Sequence, residues 1–206
     1  MLKDKDIREG LFAFLEERYG KIRILEEKVI GRSRADIYMV TDEYLYGIEI
    51  KSDADTYTRL ASQTKDYDAF YDRNILVVGT SHAVHAHEHV PSHWGIITVE
   101  EADGSLDFYV QREAQDNPSR DPAKQLTLLW RPELVHIQQK FDLPAYKEKS
   151  KAFVQQKLIE KVPPVELSAA LRQELFERDY TTLKEEINAY RRAKGRRARR
   201  RPPKRR

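Results

Sequence analysis

Apolar side chains in residues 4–19 recur at spacings of three and four. Ile7, Leu11, Phe14 and Leu15 share one face, Asp4 and Asp6 lie near the start, and Gly20 follows, which predicts a helix. The period then changes to two. Residues 22–30 ("IRILEEKVI") read as a strand, 31–34 as a turn, and 34–52 ("RADIYMVTDEYLYGIEIKS") as a β-hairpin with Asp42-Glu43 at its tip. Helical spacing returns over 55–72 through Tyr57, Leu60, Ala61, Thr64, Tyr67 and Tyr71. "ILVVGT" (75–80) is an unbroken apolar run, suited to a strand buried on both faces. A short helical or loop stretch ends at Pro91. Two more strands are predicted at 94–100 and 106–111, either side of Asp103-Gly104. Residues 112–125 are polar, with two prolines, and read as a loop. Beyond them only helical spacing is found, at about 132–140, 146–161, 164–178 and 182–193, the last opening on a capping box, Thr182-x-x-Glu185. The pattern predicts an α/β fold: a mixed sheet flanked by helices, with a C-terminal helical extension. The expected divisions are 1–112, 113–190 and 191–206.

The hairpin carries charge where burial is expected. With Asp42-Glu43 at the tip, cross-strand partners have numbers summing to 85, which sets Asp36 opposite Glu49. Lys51 shares their face, as do Tyr38 and Gly47. Ala35, Ile37, Met39, Ile48 and Ile50 take the other face, which is the expected core. Two facing carboxylates repel, so removing either is not expected to lower the melting temperature. A divalent cation turns the pair into a site, because Mg²⁺ takes one or two carboxylates and leaves room for water and phosphate. Lys51 would add a compact positive charge beside a phosphate. Gly47 removes bulk where a ligand could approach.

Charge along the chain adds a partner. The chain of 206 residues has a formal net charge of +3. The last sixteen residues hold eleven of its 37 Lys and Arg and no acid: Arg191, Arg192, Lys194, Arg196, Arg197, Arg199, Arg200, Arg201, Lys204, Arg205 and Arg206. Removing those eleven leaves 26 basic against 34 acidic residues, a net of −8 for residues 1–190. Such a segment is expected to be disordered when free and to bind polyanions that the acidic body repels. Cysteine is absent, which excludes disulfides and thiolate metal sites. No apolar run matches a membrane span, and "MLKDKDIREG" does not read as a signal peptide, so a soluble, cytoplasmic protein without a membrane partner is expected. Neither a Walker motif nor a nucleophile elbow occurs. Five histidines fall in 81–94, with His85 and His89 at helical spacing. They read as a solvated helix end, because no third ligand is evident.

Asp36 followed by Glu49-Ile50-Lys51, after a helix and a strand and before a helix, resembles the PD-(D/E)XK nuclease superfamily, with Ala35 in place of its proline. Gln63-x-x-x-Tyr67 resembles the motif of its RecB-like branch, and the combination looks like a little-characterised bacterial and prophage group. The resemblance covers about residues 1–112 and implies a restriction-endonuclease-like fold. It also implies metal held by Asp36, Glu49 and the Ile50 carbonyl, Lys51 as catalytic lysine, and Gln63, Tyr67 and Arg59 as supporting or DNA-binding residues. Glu9 is the candidate for an acidic residue on the first helix, although the helical wheel sets it nearly opposite the Ile7/Leu11/Phe14 stripe. Asp53 and Asp55 are expected to cap the helix that follows them. The expected function is a Mg²⁺- or Mn²⁺-dependent DNA nuclease, with RNA as another substrate to test. The alternatives are a non-catalytic nucleic-acid-binding module, or an interaction protein that docks a partner through its helical extension.

Overall fold

The computed structural model describes residues 4–179. The helix expected at 182–193 and the basic segment 191–206 lie outside the described residues. Helix α1 (Asp4–Tyr19) leads into strands β1 (Arg23–Ile30), β2 (Ser33–Val40) and β3 (Leu45–Lys51). Helix α2 (Leu60–Phe70), strand β4 (Arg73–Gly79), the single turns α3 (Thr80–Ala83) and α4 (Ala86–His89), and strands β5 (Gly95–Ala102) and β6 (Ser105–Arg112) follow. Four helices close the described chain: α5 (Pro122–Thr127), α6 (Arg131–Lys140), α7 (Lys151–Lys161) and α8 (Pro164–Glu177). The six strands form one mixed sheet in sequence order. β3, β4 and β5 run parallel, and the outer pairs are antiparallel. This is the α/β architecture that the alternating periods predict. Among the described residues no helix is long and apolar enough to cross a membrane.

Both faces of the sheet are core, where the sequence pattern assigned one. Ile37, Met39, Ile48 and Ile50 pack under α1 with Ile7, Leu11 and Leu15. On the other side Tyr38, Leu45, Leu76 and Val78 pack against α2 and the C-terminal helices. Arg178 locks those helices down. Its guanidinium bonds Glu133 at 2.7 and 2.8 Å and the Leu128 carbonyl at 2.9 Å, and both charged side chains are buried.

The β2–β3 register is the expected one from Val40↔Leu45 to Ile37↔Ile48. The ladder stops there, one residue short of Asp36 and Glu49. Across β1, Glu27 adopts a left-handed conformation (φ 53°) where it would face Asp36. Such a conformation in a non-glycine residue costs on the order of 1–3 kcal/mol and is found at functional sites. Side-chain alternation reverses at this point. Ile24 packs on the α1 side, whereas Ile30, of the same parity, packs on the α2 side. Ala35 likewise joins the α2 side, away from Ile37 and Met39. Asp36 therefore sits at a break in the sheet, with backbone groups around it released from the ladder.

Gly47 has a role different from the expected one. A Cβ there would lie 2.2 Å from Tyr71 Cδ2 and 2.6 Å from Tyr67 Cδ1. The space serves Tyr67 of α2 and Tyr71 just beyond it, not a ligand. Gly47→Ala should thus cost about 1–3 kcal/mol through overpacking, read as a lower urea midpoint. An unchanged midpoint would mean that α2 is not seated so closely.

Candidate functional site

The break at Asp36 leaves two amides to be satisfied, and side chains do so. Asp36 Oδ2 accepts from the Ile50 amide at 3.0 Å, in place of a strand partner. The Asp36 amide donates to the Tyr67 hydroxyl at 3.1 Å. A residue in a strand directs its N–H and C=O to the same side. The Ile50 carbonyl accordingly leaves β3 on the side where Asp36 lies.

Glu49 and Lys51 extend from β3 beneath α2. Both are buried, at 1% and 4% exposure. Lys51 Nζ donates to Glu49 Oε1 at 2.6 Å and to Gln63 Oε1 at 3.2 Å. Gln63 Nε2 donates to the same Glu49 oxygen at 2.5 Å. The Tyr67 hydroxyl donates to Glu49 Oε2 at 2.6 Å. Burial, reinforced by the charges of Glu49 and Asp36, holds that hydroxyl well above the ordinary tyrosine range, so it remains a donor. Gln63 and Tyr67, one helical turn apart, thus grip Glu49 from one face of α2.

Glu49, Lys51 and Gln63 line a cleft of about 500 Å³, behind which Tyr67 is fully buried. Asp36, Glu49, Ile50, Lys51, Arg59 and Gln63, all singled out in the sequence, line it together. Glu9 does not: it is exposed on α1, and its neighbour Arg8 reaches Asp36 instead, with Nη2 3.9 Å from Oδ1. Arg32, from the β1–β2 turn, and Arg34, at the start of β2, also line the cleft, and the sequence pattern does not single them out. The signal was the "GRSR" segment, where a glycine turn carries two arginines. Asp66 of α2 fixes that turn by accepting from the Arg32 amide at 3.1 Å and the Ser33 hydroxyl at 2.5 Å. A Cβ on Gly31 (φ 54°) would meet Asp66 at 2.2 Å, so glycine is required there on two grounds.

The aspartates after β3 do not cap α2, which begins at Leu60 without a side-chain cap. Asp55 Oδ2 accepts from the Ser52 amide and hydroxyl at 2.9 and 2.6 Å and lines the cleft. Asp53 accepts from the Ser81 amide and hydroxyl at 3.1 and 2.7 Å, at the start of α3. The histidines make no joint site. His85 pairs with Glu88 at 3.0 Å, and His89 stacks on Tyr57 with ring centroids 4.0 Å apart.

Among the described residues no group of three or more His, Cys, Asp or Glu side chains is arranged to hold a metal. Lining the cleft are the carboxylates of Asp36 and Glu49, that of Asp55, which is turned to Ser52, and Ile50, which follows Glu49 in the chain. An all-oxygen set with two carboxylates fits a hard cation that keeps several of its waters.

The family model described as bacteriophage P4 protein cII matches residues 1–200. No curated protein and no solved structure matches the chain. The family match overturns the assignment to the PD-(D/E)XK superfamily. That assignment rested on six residues between Asp36 and Tyr67, a short and loosely spaced set, whereas the match runs through the sheet and the C-terminal helices alike. The phage association that was expected stands, and the chain belongs to the bacteriophage P4 protein cII family.

Proposed function

We propose that the cleft hydrolyses phosphodiester bonds in DNA, with Mg²⁺ or Mn²⁺ held by Asp36, Glu49 and the Ile50 carbonyl. One observation carries this reading above the rest. Two carboxylates and a lysine share the floor of a cleft whose rim presents Arg32, Arg34 and Arg59, although residues 1–190 carry a net charge of −8. Exposed arginines gathered at one place on an acidic body suit a phosphate backbone.

When bound, the cation would acidify a water and neutralise charge on the phosphoryl oxygens. The chain's own residues supply the rest. The rim arginines bind phosphates on either side of the scissile bond. Lys51 presents a charged ammonium to the phosphate, held in place by Glu49 and Gln63. Tyr67 orients Glu49 and closes the break in β2 through the Asp36 amide. The basic segment 191–206 brings polyanion to the body.

The test is incubation of the full chain with duplex, single-stranded and branched DNA and with RNA, in Mg²⁺, Mn²⁺ or EDTA. Cleavage of DNA that depends on the metal is expected. Binding without cleavage under every metal condition would favour a non-catalytic nucleic-acid-binding module.

A further inference from the structure

Arg8 has no part in the chemistry proposed for the cleft, yet it places a charge at its edge. The α1 side chain is largely buried, at 17% exposure. Nη1 donates to Glu26 Oε1 at 3.0 Å and to the Asp36 carbonyl at 3.4 Å. Nη2 lies 3.9 Å from Asp36 Oδ1, too far for a hydrogen bond. Asp36 is aimed by the Ile50 amide at 3.0 Å. Arg8 thus places positive charge beside a carboxylate that the Ile50 amide already orients. Lys51 does the same for Glu49, at 2.6 Å.

On the reading that Asp36 holds the metal, we propose that Arg8 sets the affinity of the cleft for its divalent cation. A fixed guanidinium beside Asp36 offsets the carboxylate when the cation is absent and repels the cation when it arrives. At this separation and degree of burial the repulsion is only partly screened. Glu26, on β1, moderates it by pairing with the same guanidinium. The two residues form a charge couple outside the cleft that holds metal binding weak enough for release.

Calorimetric titration of the full chain with Mn²⁺ tests this without reference to activity. Arg8→Gln should bind Mn²⁺ about tenfold more tightly than the native chain, and Arg8→Lys, which keeps the charge, within about twofold of it. Glu26→Gln changes a half-exposed side chain, so the fold is safe, and it should weaken Mn²⁺ binding severalfold by removing a carboxylate that moderates the Arg8 charge. Equal or weaker binding by Arg8→Gln, or unchanged binding by Glu26→Gln, would overturn the proposal. Weaker binding by both Arg8 variants would make Arg8 a scaffold residue and overturn it as well. A different result, no Mn²⁺ binding by the native chain or by Arg8→Gln, would instead remove the metal site on which the proposal rests.

Discussion

Glu49→Ala is expected to lower the melting temperature by about 10 °C as well as to end cleavage. The carboxylate is 1% exposed and lies 2.6 Å from an ammonium that is 4% exposed. Truncating one partner of such a pair costs about 3–5 kcal/mol, because the other charge remains buried without compensation. Gln63 and Tyr67 also lose the acceptor they share. Adding Lys51→Met to the same chain should recover much of the loss, since the stranded charge is then gone. Circular dichroism melts of the single and double variants check both statements. The facing-carboxylate picture drawn from the hairpin register predicts the opposite sign, with no fall in melting temperature. It fails because the ladder ends at Ile37↔Ile48, so that Asp36 and Glu49 each find cationic and amide partners instead of each other. An unchanged melting temperature would show that Glu49 is not paired in this way.

Deletion of residues 191–206 is expected to have the largest effect on binding. It removes eleven positive charges. If about five of these meet phosphates, the slope of log K against log salt falls by about four units. A fourfold rise in salt would then cost the intact chain about two orders of magnitude more affinity than the truncated one. Binding should weaken across all sequences alike, because phosphate contacts carry no base information. Single-turnover cleavage at saturating DNA and low salt should persist, since Asp36, Glu49 and Lys51 remain. Fluorescence anisotropy over a salt series measures the slope. An unchanged slope would put DNA binding on the rim arginines alone.

The sheet was legible because its signals are local and strongly periodic. Val40↔Leu45 to Ile37↔Ile48 follow from two β-rich runs joined by a short polar tip, and α1 ends at Tyr19 as its apolar stripe requires. The break at Asp36 was not legible. It depends on Glu27 in the neighbouring strand adopting a left-handed conformation that its residue type does not announce. Helix α2 begins five residues later than the apolar spacing predicts. Asp55 folds back on Ser52, and Tyr57 stacks on His89, so tertiary contacts hold 55–59 out of the helix. Helix α5 begins within the polar stretch that reads as a loop. Its Asp121 cap and Pro122 at the first turn were nevertheless visible as a start signal. At the cleft the residues of β2, β3 and α2 could be paired from register and helical spacing. Arg32 and Arg34 could not, because only the packing of the β1–β2 connection on Asp66 brings them to the same opening. Glu9 and Arg8 are neighbours in the chain, and α1 presents the second of them to the sheet.

Phosphodiester hydrolysis in this cleft requires that Asp36 serve chemistry. Asp36→Asn keeps an oxygen that can accept from the Ile50 amide, so the break in β2 should survive and the melting temperature should stay close to that of the native chain. The measurement is single-turnover cleavage of end-labelled DNA at saturating protein in Mg²⁺, native chain against Asp36→Asn, with EDTA as the metal-free reference. The account predicts cleavage by the native chain that EDTA stops, and none by Asp36→Asn. Cleavage by the variant at the native rate, or cleavage that persists in EDTA, would contradict it.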